Sequence, residues 1–411
     1  MWSALSAINR ASSKPALKLL QSHRLLSTSR KWPKTAIIGV GQLGAAVASN
    51  LLKEDVPVVL FDISGDKNCP VPLKDKIEGA SWASSAKEAA EQADVVITAL
   101  PRPEHVTAAF SGDDGILEGL RPGSVWIEHS TTDFTNTEKV RSLVEAKGAS
   151  AIEAPLTGGM QILREGKMVA FVGAEEKVLD DMRSLIELSA PRIVRCGEFG
   201  HATILKVYSN VLCALHDVGI AETLVVCKKA GMDMKLVFDA IRVSAGNSYC
   251  WESEVPRMLR GDYYPDFTAE MMAKDISLGL DLGQKYGVPQ PTYEYVAGKY
   301  EEAMQKFGRD SGSAIPCRLI EEATDCYLIE GEGKEDIYPG NSINYDSHGG
   351  AFKDWSYTTK FIDGSYAVVH TGYDNVYEEF EEQDRKTQTE EIASLRLRVA
   401  ELEKELEKTK A

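Results

Sequence analysis

A strand, a glycine turn, a helix, a second strand and an acid follow one another between Thr35 and Asp62, and that order leaves few folds open. The apolar run Ala36-Ile37-Ile38 has the length of a buried strand. It enters Gly39-Val40-Gly41-Gln42-Leu43-Gly44, and a helical repeat follows with Leu43, Val47 and Leu51 on one face. The β-branched run Val56–Leu60 then ends in Phe61-Asp62. A bare G-x-G-x-x-G is often only a glycine turn. In this setting it reads as a dinucleotide-binding turn, with Gln42 and Leu43 inside it. Gly39 permits the sharp bend. Gly41 lets the backbone approach a pyrophosphate on the helix N-terminus, and Gly44 permits close helix–strand packing. Asp62 is placed to accept hydrogen bonds from the adenosine ribose. No arginine follows it, so a 2′-phosphate would meet a carboxylate without counter-charge. The expected cofactor is NAD rather than NADP.

Beyond Asp62, apolar runs keep alternating with helical stretches. Strands are expected at Val95–Ala99, Ser124–Ile127, Ser150–Glu153, Val169–Val172 and Ile193–Arg195. Helices are expected within Ala86–Gln92, Pro103–Phe110, Thr135–Lys147 and Glu175–Leu188. The pattern predicts an α/β Rossmann domain over residues 34–196, with a doubly wound, largely parallel sheet. Near Gly197 the strand signals stop. A proline-free helical stretch runs from Gly200 to Lys229, with further segments at Lys235–Ser244, Trp251–Arg260, Ala269–Tyr286 and Thr292–Phe307. An all-α domain for substrate and subunit contacts is expected over residues 197–330. Glu330–Glu335 reads as a linker into an aromatic-rich extension, residues 331–411. There, Tyr357–Ile362 and Ser365–His370 flank Asp363-Gly364, a type I′ hairpin signal. Ile392, Leu395, Val399, Leu402 and Leu406 alternate spacings of three and four. They suggest a short coiled coil over 389–408 that could take a partner, although a solvated single helix fits the same pattern.

At 411 residues the chain has room for two or three domains. Its net charge of −16 argues against nucleic acid as a partner. No apolar run approaches the length of a membrane span by this reading, so no membrane segment is expected. Residues 1–34 carry seven basic residues and no acid; the first acid of the chain is Glu54. This composition predicts an organelle transit peptide over residues 1–33 and a mitochondrial matrix location, with a basic tail as the plainer alternative. The seven cysteines form no C-x-x-C pair and lie near no histidine at ligand spacing. They read as reduced thiols, with no metal site.

Four stretches beyond the glycine turn could carry chemistry. Leu100-Pro101-Arg102-Pro103 follows a strand end, where α/β folds place ligands. Ser130-Thr131-Thr132-Asp133 lies between a strand and a helix, and helix capping is the expected role of Thr132 or Asp133. In Glu153-Ala154-Pro155-Leu156-Thr157-Gly158-Gly159, a hydroxyl beside two glycines could form an anion-binding nest, or a plain turn. Lys206 and Asn210 share a helix face. Lys206 lies among Ile204, Leu205 and Val207, where desolvation would lower its pKa toward the range useful for proton transfer. A lysine snorkelling from the surface is the bland alternative. Lys274-Asp275 on a later helix could be an exposed charge pair.

Together, residues of about 34–326 resemble the β-hydroxyacid dehydrogenase family. That group includes 3-hydroxyisobutyrate dehydrogenase, tartronate semialdehyde reductase and glyoxylate/succinic semialdehyde reductase, with 6-phosphogluconate dehydrogenase as a relative. The resemblance runs in order through Ile38–Leu51, Asp114–Thr131, Glu153–Gly173, Gly197–Asn210 and Phe267–Asp275. It implies NAD contacts from Gly39, Gly41, Gln42, Leu43, Gly44, Asp62, Leu100, Pro101, Thr131 and Lys274. It implies a small carboxylate substrate held by Thr157, Gly158, Gly159, Asn210 and Asp275, and Lys206 as the catalytic lysine. It also implies a homo-oligomer.

The chain departs from the family pattern in places. Thr157 stands where serine is usual, Gln161-Ile162 replaces a pair of small residues, and Lys206 comes six positions after Gly200 where many members have four. A gapless match would put Ile204 at the catalytic position; Lys206 is favoured because it keeps the spacing to Asn210. Two functional readings follow. The first is an NAD-dependent dehydrogenase or reductase moving a hydride between nicotinamide and a small β-hydroxy acid or its semialdehyde, with Lys206 as general acid/base. The second is a non-catalytic NAD-binding sensor acting through the coiled-coil tail. The joint presence of Thr157, Lys206, Asn210, Lys274 and Asp275 favours the enzyme. The substrate itself is not fixed by these residues.

Overall fold

The computed structural model describes residues 32–329, apart from 262 and 264–266, together with two short strands at 356–360 and 366–370. The expected transit peptide, save its last two residues, and the expected coiled coil at 389–408 lie outside the described residues.

The Rossmann half alternates β1 (Thr35–Ile38), α1 (Gln42–Leu52), β2 (Val58–Phe61), β3 (Ser81–Trp82), α2 (Ala86–Glu91), β4 (Val95–Thr98) and α3 (Pro103–Phe110). It continues through β5 (Val125–Glu128), α4 (Phe134–Ala146), β6 (Ser150–Glu153), β7 (Leu156–Thr157), α5 (Met160–Arg164), β8 (Val169–Gly173), α6 (Glu176–Ile186) and β9 (Arg192–Gly197). The sheet order is β3-β2-β1-β4-β5-β6-β8-β7, with β9 beside β8. The pairs from β3 to β6 are parallel. β8 runs antiparallel to β6 and β7. Alternation along β1 sends Ile37 to a core shared with Val47 and Leu51 of α1, and Ala36 and Ile38 to a second core with Val106, Phe110 and Trp126. Helices therefore cover both faces, as a doubly wound sheet requires. Consecutive parallel strands also set Thr98, Glu128 and Glu153 in one row at their C-terminal ends.

The helical half is built on α7 (His201–Lys229), around which stand α8 (Met234–Arg242), α9 (Tyr249–Arg260), α10 (Ala269–Tyr286), α11 (Pro291–Phe307) and α12 (Cys317–Thr324). Three apolar cores meet on α7: one at Val207 and Val211, one at Ala214 and Val218, one at Ile220, Leu224 and Val225.

Two expectations need correction. Helix α7 has the length and mean hydropathy of a membrane span. It is nonetheless the central packing element of the helical half, with Asp217 buried along it. A run of 29 residues with few charges is what a helix covered on several sides needs. Second, β10 (Ser356–Lys360) and β11 (Tyr366–His370) do form an antiparallel hairpin, but Lys360 pairs with Tyr366. A two-residue turn at Asp363-Gly364 would pair Ile362 with Ser365, which is one residue out of that register. The short elements β3, β7, α5 and α12 were not expected from sequence. Two residues of strand carry no readable period.

Candidate active site

The site begins at the end of β1. Gly39 has φ +95°, and a side chain there would strike the carbonyl oxygen of Ala99. A Cβ on Gly44 would strike the carbonyl oxygen of Gly39. Gly41 is different, for nothing lies within 4 Å of where its Cβ would be. That open side adjoins the N-terminus of α1, which no side chain caps. Such an end attracts an anion. Asp62 accepts from the amides of Val40 and Ser64, both at 2.8 Å, and from Asn68 Nδ2 at 3.1 Å. It thus braces the glycine turn, and a carboxylate with about four acceptor positions keeps room for one more donor. An open glycine, an uncapped helix and an acid at the end of β2 fit the pyrophosphate and ribose of NAD. Gln42 Oε1 accepts from Arg164 Nη2 at 3.2 Å, and Leu43 packs half-buried on the first core.

Two loops carry the site across the sheet. After β4, the Leu100 amide donates to Ser130 Oγ at 2.8 Å, beside the exposed Pro101. After β5, the Ser130 amide donates to Glu128 Oε1 at 2.6 Å. The carbonyl of Thr131 accepts from Lys274 Nζ at 2.7 Å, a contact between the two halves of the molecule. Arg102 and Glu270 form a second such contact, an ion pair of 2.9 Å. Asp133 caps α4 by accepting from the Asn136 amide at 2.6 Å.

Lys206 sits in the second turn of α7 and is 8% exposed. Its Nζ donates to Asn210 Oδ1 at 3.0 Å, and Asn210 Nδ2 donates to Asp275 Oδ2 at 2.6 Å. The other oxygen of the fully buried Asp275 pairs with Lys274 Nζ at 2.9 Å. A continuous polar path therefore runs Lys206–Asn210–Asp275–Lys274–Thr131. Burial holds the Lys206 ammonium below its ordinary pKa, and the Asp275 charge opposes part of that shift. Ile204, two residues earlier, packs with Val207, Val211, Leu278 and Leu282 on an apolar side.

The start of α7 is fixed from the sheet. Glu153 Oε1 accepts from the amides of Gly200 and Ala202 at 2.6 and 2.7 Å, and Oε2 accepts from the amide and hydroxyl of Thr203. Gly200 has φ +103° and lies against the ring of Phe134. Thr157 is half-buried in β7; Gly158 and Gly159 follow at φ +131° and +90°. Nothing stands within 4 Å of a Cβ at Gly159, so this turn has an open side. Tyr249 at the start of α9 donates its hydroxyl to the Gly158 carbonyl at 3.2 Å, which ties the turn to the helical half.

Sequence reasoning missed Tyr249, Glu128 and the cap made by Glu153. Tyr249 is 91 residues from Gly158, and no local pattern joins them. The two acids did carry a signal, since each ends an apolar run of a parallel strand.

Comparison with known proteins adds to this geometry. Residues 34–197 match the model of the NAD binding domain of 6-phosphogluconate dehydrogenase. Residues 200–320 match the NAD-binding domain of NADP-dependent 3-hydroxyisobutyrate dehydrogenase. The chain is 33% identical over 272 residues to the mitochondrial 3-hydroxyisobutyrate dehydrogenase of Mus musculus, covering 64% of this chain and 79% of that protein. It is 31% identical over 263 residues to an NAD-dependent L-serine dehydrogenase of Pseudomonas aeruginosa, covering 61% and 85%. A solved 3-hydroxyisobutyrate dehydrogenase of Mycobacterium tuberculosis with L-serine superposes with a TM-score of 0.63 at 28% identity, over 70% of this chain and 99% of that one.

Proposed function

The chain belongs to the 3-hydroxyisobutyrate dehydrogenase family of NAD-dependent oxidoreductases, and we propose that Lys206 is the group that moves the substrate proton. Bound NAD supplies the hydride acceptor. The rest is work for the protein. The glycine turn and α1 hold the pyrophosphate, Asp62 the ribose, and Leu100, Pro101, Thr131 and Lys274 the far end of the cofactor. Thr157, Gly158 and Gly159 receive the substrate carboxylate in their open turn. Lys206, whose pKa burial lowers toward the range useful for proton transfer, accepts the hydroxyl proton in oxidation and returns it in reduction. Asn210 fixes the direction of the Lys206 side chain, and Asp275 fixes Asn210. The observation that carries this reading is the buried Lys206 at the head of that polar path. Ile204 has no part in it.

The substrate class follows from the relatives. 3-Hydroxyisobutyrate and serine are both 3-hydroxypropanoates with one small group at C2. We infer the same skeleton here. The test is a panel of 3-hydroxypropanoates and their semialdehydes, offered to residues 34–411 with NAD(H). Absence of turnover with every member would sink the reading.

The finer proposals have separate supports. A cofactor domain at 34–196 and a helical domain at 197–330 are supported by the change from strands to helices after β9. A homo-oligomer is supported by Leu205, Leu212 and Val226, exposed on α7 at multiples of seven residues. Glutamate at Leu212 and Val226 should lower the mass seen in sedimentation. Mitochondrial import is supported by the acid-free N-terminus and by the mitochondrial name of the mouse relative. Intact peptides spanning Arg10–Lys34 in mature protein would contradict it.

A further inference from the structure

We propose that Glu128 is a positioning residue for the nicotinamide half of the cofactor, acting through Ser130 on the two loops that receive it; this rests on the NAD-dependent reading above. Glu128 ends β5 with no exposure at all, and Glu153 stands next to it in the strand row. Two neighbouring buried carboxylates are costly unless each is matched by donors. Glu153 is matched, by the start of α7. Glu128 faces no cation and no helix start among the described contacts. It accepts from the Ser130 amide at 2.6 Å, Oε2 has no hydrogen-bond partner, and burial pushes its carboxyl up to about 7 although Ser130 and Thr98 pull the other way. A buried acid left partly unsatisfied lowers stability, so stability does not account for its presence.

What Glu128 does account for is direction. Trp126 Nε1 donates to Thr98 Oγ1, and the Leu100 amide donates to Ser130 Oγ, both at 2.8 Å. Each hydroxyl already accepts one N–H, so each has its own proton to give. Glu128 in turn accepts from the Ser130 amide and so fixes the residue whose hydroxyl holds Leu100. Leu100 N–H to Ser130 Oγ, and Ser130 N–H to Glu128 Oε1, together tie the loop after β4 to the loop after β5. These two loops carry Leu100, Pro101 and Thr131. The adenosine side is braced separately, by Asp62. Glutamine has the same shape but replaces one carboxyl oxygen with an N–H donor and accepts more weakly from the Ser130 amide.

The experiment compares NADH with ADP-ribose, which keeps the adenosine and pyrophosphate and lacks the nicotinamide. Calorimetry on full-length Glu128→Gln should show NADH affinity falling about tenfold, the loss of roughly one hydrogen bond. ADP-ribose affinity should stay within about twofold, and Tm should hold or rise. Ser130→Ala, which keeps Glu128 and cuts the link to Leu100, should show the same selective loss and serves if Glu128→Gln does not fold. Equal losses for both ligands, or unchanged NADH affinity in both variants, would overturn the proposal. Wild-type protein that binds NADH but turns over no 3-hydroxypropanoate would sink the catalytic reading alone, since the binding ratio still tests Glu128.

Discussion

Glu153 and Thr203 are joined twice, for both the amide and the hydroxyl of Thr203 donate to one Glu153 oxygen, at 3.1 and 2.6 Å. With Gly200 and Ala202 on the other oxygen, a sheet carboxylate closes the N-terminus of the longest helix. Helix ends leave amides unpaired, and a buried anion there is favoured by the helix dipole. Glu153→Gln turns an N–H group toward these donors. It should cost about 3 kcal/mol, as breaking a buried charged network does. Urea unfolding midpoints check this; an unchanged midpoint would remove the cap from the account of stability.

Lys206→Ala should slow single-turnover hydride transfer by about 10²–10⁴-fold, the usual contribution of a positioned acid–base group. NADH affinity should hardly change. Lys206→Arg should rescue little, because arginine does not deprotonate. Oxidation should speed up as pH rises through the pKa of Lys206, which burial sets below 10.5. Asp275 raises that pKa, so Asp275→Asn should move the rising limb to lower pH.

Asp62 braces the glycine turn in addition to the ribose contact proposed for it. Asp62→Ala should therefore weaken NAD binding by more than the about tenfold of one lost hydrogen bond. NADP should lose less, because repulsion of its phosphate disappears. Titration calorimetry with both cofactors measures the gap, and a gap that widens would contradict the assignment.

Adjacent residues on β5 should give stability opposite dependences on pH. Burial pushes the Glu128 carboxyl up from 4.5 to about 7 and the His129 imidazole down from 6.5 to about 4. The Glu128 contribution is full below pH 4.5 and lost as pH rises to about 7. The His129 contribution is full above pH 6.5 and lost as pH falls to about 4. Between 4.5 and 6.5 the two slopes oppose each other. Neutral His129 donates from Nδ1 to the Ala154 carbonyl at 2.7 Å, a bond that asparagine can imitate. His129→Asn should leave stability falling with pH in this window, and Glu128→Gln should leave it rising. Thermal melts at several pH values give both slopes; parallel slopes in the two variants would contradict the pairing.

The sequence made the glycine turn legible because all of its logic is local. Strand, turn, helix and acid lie within 28 residues, and each glycine is explained by backbone atoms a few residues away or by the next strand. Lys206 and Asn210 were legible as a pair for the same reason, since four residues on a helix make neighbours. Asp275, which completes their path, is 65 residues from Asn210 and had only its place in a family motif to mark it. Tyr249 had no mark at all. The apolar length of α7 misled in another way. Composition reports how much of a helix is covered, and it does not say whether lipid or protein covers it. The hairpin was legible as two strands, but its register was not, because a turn signal fixes register only when the loop takes the expected length.

Helix α7 begins on a carboxylate of the sheet and carries Lys206 in its second turn, while most of its remaining length is packed inside the helical half. In mechanical terms Lys206 is bolted to the cofactor's frame. Its place is set by one strand end and one turn of helix, both on the sheet side of the molecule. Asp275 and Lys274 ride on α10, which packs against the same stretch of α7 through Leu278, Leu282, Val207 and Val211. The lysine and its partners are therefore seated together, tied to the sheet by Glu153 at the start of α7 and by the Lys274 bond to the Thr131 carbonyl.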